Sequence, residues 1–209
     1  MKLLLVGSTG LVGQQVLDLA LADPRVSAVV APVRRALPTH PKLQAPLVDF
    51  DHLPEDAPWW QADAVICTLG TTMRAAGSWQ AFRRVDHDYP LAVARLARQH
   101  GAHTYALNSA IAANPSSRFF YNRVKGELEQ ALAGLGFSSL TLVRPGMIGG
   151  HRQESRWAER AATPILTLLG PLLPQRWRIN PARQIAHALL EAALAARPGT
   201  QVITSDQLI

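Results

Sequence analysis

The sequence predicts a doubly wound α/β fold: a parallel sheet with helices on both faces and a small C-terminal cap. Three observations predict it. Short apolar runs alternate with segments of helical periodicity along most of the chain, the pattern of repeated right-handed strand–helix–strand units. The runs are apolar throughout rather than at every second position, as strands covered on both faces are. The first of them ends in a turn with glycines at positions 7, 10 and 13, followed at once by a helical pattern.

Taken in order, residues 2–6 form a strand and residues 11–22 a helix, with Leu11, Val12, Val16, Leu19 and Ala20 recurring at helical spacing. Asp23-Pro24 stops that helix, and the run 26–33 is a second strand. Leu47-Val48 is expected as a third strand, residues 51–61 as loop with a short helix, and residues 62–69 as a fourth strand ahead of Gly70. Residues 78–100 read as helix, with Pro90 kinking it or opening its second half and Gly101 ending it. A fifth strand at 103–108, a helix at 117–135 closed by Gly136, and a sixth strand at 139–143 complete the alternation. Residues 147–209 differ, with helices around 157–169 and 181–196 and a last strand at 201–204, and are expected as a small substrate cap on one domain spanning 1–209.

Composition limits the function. A chain of 209 residues buries one substantial core but leaves no room for a second domain of ordinary size. Its single cysteine, Cys67, excludes an internal disulfide, and it has no CxxC pair or HExxH, so we expect no metal and a reducing, cytoplasmic setting. No run of about 18 apolar residues is present, so no membrane partner is expected. The net charge of +6 comes mainly from arginines spread along the chain, which fits a solvated surface with a few phosphate-binding arginines better than a nucleic-acid footprint.

Between strand and helix, Gly7, Ser8, Thr9, Gly10, Leu11, Val12 and Gly13 are expected to cradle a dinucleotide pyrophosphate, as in a Rossmann fold. The first glycine permits the sharp turn, the second lets the backbone approach the phosphates, and the third allows close helix packing. The helix N-terminus supplies free N–H groups and positive dipole. An ordinary strand-to-helix turn is the alternative. After the second strand stand Arg34 and Arg35, where an acid would select NAD; arginines there pair with the 2′-phosphate of NADP, unless they are merely solvated. Asp49 is read as a partner of the adenine amino group or as an exposed loop acid, and Phe50 beside it is counted with the cofactor site.

Tyr121 and Lys125 are spaced i to i+4 on a helix and share a face. The ammonium favours the phenolate, so the tyrosine can give a proton to a carbonyl oxygen or take one from an alcohol. Ser109, at the end of the fifth strand, is placed to hydrogen-bond the same oxygen. The alternative is an exposed helical Tyr–Lys pair. His100 and His103 are read as edge residues rather than metal ligands, and the five tryptophans as core or interface.

The chain resembles the atypical short-chain dehydrogenases, and most closely the Tat-interacting-protein oxidoreductase family. The resemblance rests on residues 7–13, Arg34-Arg35, Val48-Asp49-Phe50, Cys67-Thr68-Leu69-Gly70-Thr71-Thr72, Val85-Asp86-His87-Asp88-Tyr89, Tyr121-Asn122-Arg123-Val124-Lys125-Gly126-Glu127, Arg144-Pro145-Gly146 and Arg152-Gln153-Glu154-Ser155-Arg156. It implies a Rossmann fold binding NADP, with Ser109, Tyr121 and Lys125 as catalytic residues. It further implies that Cys67, Thr68, Leu69 and Gly70 pack under the cofactor and that Arg144 and Pro145 lie near its nicotinamide end. In the wider superfamily an asparagine holding a proton-relay water commonly occupies the place of Asp86, so proton relay is expected to differ here. No role is assigned to His87 or to residues 151–156. The superfamily resemblance allows a homodimer, and the short cap disfavours a bulky nucleotide-sugar substrate. The expected function is an NADP-dependent oxidoreductase acting on a small carbonyl or alcohol; the alternative is an NADP(H)-binding sensor or regulator without substantial turnover.

Overall fold

The structure, a computed structural model, describes residues 1–149 and 179–209. Strand β1 (Lys2–Val6) leads through Gly7 into helix α1 (Leu11–Ala22), followed by β2 (Ala28–Val30), β3 (Leu43–Gln44) and β4 (Ala64–Cys67). A short α2 (Met73–Ala76) precedes a composite helix of α3 (Trp79–Arg83), a π-helical turn (Arg84–Asp88) and α4 (Tyr89–Gln99). Then come β5 (Thr104–Asn108), α5 (Phe120–Ala133), β6 (Ser139–Arg144) and β7 (Ile148–Gly149). The chain closes with β8 (Asn180–Pro181), α6 (Ala182–Ala195) and β9 (Gly199–Thr204).

Among the described residues seven strands form one parallel sheet in the order β3-β2-β1-β4-β5-β6-β9. The chain first builds outward from β1 through β2 and β3, then returns to place β4 on the other side of β1. That reversal opens a crevice at the carboxyl ends of β1 and β4, where such sheets bind ligands. Period-two alternation splits the apolar strand residues between two cores. Leu3 and Leu5 pack under α1 and α6 with Val16, Ile185 and Leu189, while Leu4 and Val6 pack on the opposite face with Val93, Tyr105 and Leu128. This is the doubly wound arrangement expected.

Several boundaries differ from expectation. The third strand lies at Leu43–Gln44, not at Leu47-Val48, and the second is confined to Ala28–Val30. Pro32 and Pro46 lack the N–H a ladder needs, so pairing stops before them and resumes only as a bridge from Val33 to Leu47. Of the two expectations for Pro90, the second holds: it lies in the first turn of α4 and opens the second half of the composite helix, which the π turn just before it joins continuously to α3. The helix expected from residue 117 begins at Phe120, because residues 114–117 turn on the Asn114 side chain, whose Oδ1 accepts from Ser116 N at 2.9 Å. Of the region expected as a cap, α6 and β9 complete the main layers; the helix expected around 157–169 lies outside the described residues. Among the described residues no helix is long and apolar enough to cross a membrane.

Candidate functional site

Gly7 has φ +86, and a Cβ there would lie 2.6 Å from the Thr68 carbonyl carbon. Its own carbonyl accepts from Gly10 N at 3.0 Å and from Thr68 Oγ1 at 3.1 Å. A Cβ on Gly13 would stand 2.0 Å from that same carbonyl oxygen, so α1 approaches the turn as closely as backbone allows. Gly10 caps α1 without a side-chain hydrogen bond, and the first turn carries no acid. The N-terminal amides of α1 therefore face the crevice with their positive dipole unopposed, a fit for an anionic group.

In front of the turn lies a cleft of about 460 Å³. Of the residues singled out in the sequence, Gly10, Leu11, Val12, Thr68, Leu69, Gly70, Thr71, Thr72, Asp86, Ser109, Tyr121 and Lys125 line it, joined by Asn108 and Phe82. Gly7 and Gly13 shape the turn beneath it. Ser8 is buried, with its hydroxyl unpaired among the described residues. Cys67 is buried at the end of β4, and burial pushes its thiol up from the ordinary value. Arg34 and Arg35 stand exposed just past Val33, away from the cleft lining. Asp49 is an exposed loop acid whose carboxylate accepts from Asp51 N and meets His52 Nδ1, each at 2.9 Å. The His52 contact, with that amide, holds it below the usual carboxylate range. Phe50 is packed in the core, its ring 5.5 Å from that of Tyr89.

Helix α5 carries Tyr121, Lys125 and Glu129 at successive i+4 positions, so one face presents all three. Tyr121 is 41% exposed at the cleft mouth, its ring 5.7 Å from that of Phe82. Lys125 is buried, its Nζ 2.8 Å from Asp86 Oδ1. Ser109 is also buried, and its hydroxyl donates to Glu129 Oε1 at 2.5 Å. Arg144 closes on the same carboxylate, Nε donating to Oε1 at 3.0 Å and Nη2 to Oε2 at 2.5 Å, which raises its guanidinium further. Arg144 and Pro145 do not line the cleft; Arg144 supports Ser109 from behind, through Glu129.

The pairing of Asp86 with Lys125 and the role of Glu129 were not read from the sequence. Glu129 could have been found by extending the Tyr121–Lys125 spacing one more turn, where an acid stands beside the buried Leu128. His87 is buried, with Nδ1 2.8 Å from Asp88 Oδ1, and residues 151–156 lie outside the described residues. Among the described residues no cluster of His, Cys, Asp or Glu suits a metal ion.

No family model matches the chain. It is similar to the mitochondrial protein fmp52 of Aspergillus fumigatus, 35% identical over 219 residues that cover 98% of this chain and 92% of that one. It is likewise similar to protein HTATIP2 of Rattus norvegicus, 35% identical over 190 residues covering 81% of this chain and 78% of the relative. The chain belongs to the FMP52 and HTATIP2 family. Among solved structures this family member is similar to MoeE5 in complex with UDP-glucose and NAD, with a TM-score of 0.75 at 15% identity over 97% of this chain and 75% of that one. A short chain dehydrogenase family protein from Francisella tularensis has a TM-score of 0.65 at 13% identity over 99% and 98% of the two chains. The atypical short-chain dehydrogenase resemblance and its Rossmann fold therefore stand. The cytoplasmic expectation does not, because the fungal relatives are named mitochondrial. One cysteine reports at most a reducing milieu, which the mitochondrial matrix shares with the cytoplasm, so composition could not separate them.

Proposed function

We propose that this member of the family is an NADP-dependent oxidoreductase acting on a small carbonyl or alcohol. The observation that carries the reading is the convergence on one cleft of the uncapped glycine turn of α1 with Ser109, Tyr121 and Lys125. A bound nicotinamide dinucleotide would supply or accept the hydride. Residues 7–13 would hold its pyrophosphate on the α1 amides, with Thr68, Leu69 and Gly70 beneath it. Arg34 and Arg35, exposed where the second strand runs out, favour the 2′-phosphate of NADP. Tyr121, at the mouth, would exchange the proton with the substrate oxygen, and Lys125 on the floor would favour its phenolate.

A specific observation favours the second reading, a cofactor-binding sensor. The Ser109 proton is already donated to Glu129, so in this arrangement it is not offered to a substrate oxygen.

A fluorescence titration of NADPH and NADH tests both. We expect tighter NADPH binding, loss of that preference by about tenfold or more in Arg34→Ala/Arg35→Ala, and retained binding in Tyr121→Phe. Carbonyl turnover that Tyr121→Phe abolishes supports the enzyme, binding without turnover supports the sensor, and no binding of either dinucleotide sinks the common premise.

A further inference from the structure

The side chain of Lys125 is 4% exposed and that of its partner Asp86 1%. An ammonium so placed is costly unless an acid meets it, so how the fold delivers that acid matters. Asp86 sits in the π-helical turn Arg84–Asp88. A π turn carries an extra residue relative to an α turn, so it resets the helix face by roughly 100°. Here Asp86 faces inward between two helical pieces. Its second oxygen, Oδ2, accepts from Thr71 N at 2.7 Å. Gly70 leaves room for the arrangement, since a Cβ there would lie 3.3 Å from Asp86 Oδ1 and 3.8 Å from Lys125 Nζ.

We propose that Asp86 is the positioning residue of this cleft: it fixes the Lys125 ammonium on the floor and, through the Thr71 amide, ties it to the loop that follows β4. Helix α5, the π turn and the loop then meet at one carboxylate. The clamp stands on its own geometry, whereas its effect on a dinucleotide rests on the function proposed above.

Among the described residues three titratable groups face Lys125: Asp86 from the π turn, Tyr121 from its own helix and Cys67 from β4. Burial pulls the ammonium down, but the charge of Asp86, with a smaller contribution from Tyr121, outweighs it and leaves Lys125 above its ordinary value. Burial pushes the Cys67 thiol up, which disfavours a thiolate in place of Asp86.

The chain has three lysines, Lys2, Lys42 and Lys125, so ¹³C-lysine labelling of the full chain gives three resolvable side-chain titrations, with Lys125 assigned by its loss in Lys125→Arg. In wild type the Lys125 midpoint should lie above that of an ordinary lysine ammonium. In Asp86→Asn its midpoint should fall by about two units or more. A wild-type Lys125 midpoint below that of an ordinary lysine overturns the proposal, even if the variant fails to fold, and so does an unchanged midpoint in Asp86→Asn. NADPH titrations separate this from the function: a wild type that binds no NADPH defeats the dinucleotide reading and leaves the lysine result standing. If NADPH binds, affinity of Asp86→Asn should fall with rising pH while wild type stays level; a loss equal at every pH would mark a merely structural role.

Discussion

Gly13 and Gly10 sit three residues apart and answer to different constraints. A methyl on Gly13 would stand 2.0 Å from the Gly7 carbonyl oxygen, whereas among the described residues a methyl on Gly10 would meet nothing nearer than that oxygen at 3.4 Å. Gly13→Ala should therefore cost about 1–3 kcal/mol or more in urea unfolding, because α1 must back away from the turn. Gly10→Ala should unfold close to wild type and show its defect in NADPH affinity, since its methyl occupies the approach to the α1 amides. Equal stability losses in the two would argue that the turn is only a turn. At this scale the sequence was most readable where spacing carries the information, in the glycine turn and the Tyr121–Lys125 dyad. It was least readable at Asp86, whose inward direction depends on a π turn that no apolar period announces.

Elements show the same division. The helix α1 and strand β1 were legible to the residue because nothing tertiary competes with their periodicity. Strand β3 was not, because Leu47 and Val48 look like a strand but follow Pro46, while Leu43 and Gln44 do the pairing with a weaker apolar pattern. The end of α1 is joined to α6 by Arg25, whose Nη2 lies 2.6 Å from Asp23 Oδ2 and 2.5 Å from Glu191 Oε1. Its hydrogen bonds lower Asp23 from 3.8 to about 2 and also lower Glu191 below its ordinary 4.5. Depressed acids stabilise above their unfolded values and lose that contribution as pH falls toward the folded ones. The gap in thermal midpoint between wild type and Arg25→Ala should thus be present at pH 5 and narrow as pH falls from about 4.5 toward about 2. Added salt should narrow it too, since Arg25 is largely exposed. A gap that widens in acid would refute the assignment.

Across the whole molecule, the sheet divides one chain into two cores, and the C-terminal segment is bound to both the sheet and the approach to β7. Asn180 makes that connection from full burial. Its Oδ1 accepts from Gly146 N and Ser205 Oγ at 2.7 Å each, and its Nδ2 donates to the Ser205 carbonyl at 2.8 Å. Asn180→Ala leaves those groups unpaired and should cost about 1–3 kcal/mol in urea unfolding of the full chain; an unaffected midpoint would show that the connection is incidental. The strand order has a mechanical consequence as well. β1 is laddered on both sides, by β2 and β4, whereas among the described residues β9 is held by β6 alone at the sheet edge. Stretched between its ends, the molecule should part first at β9, which has one ladder to lose, while β1 has two.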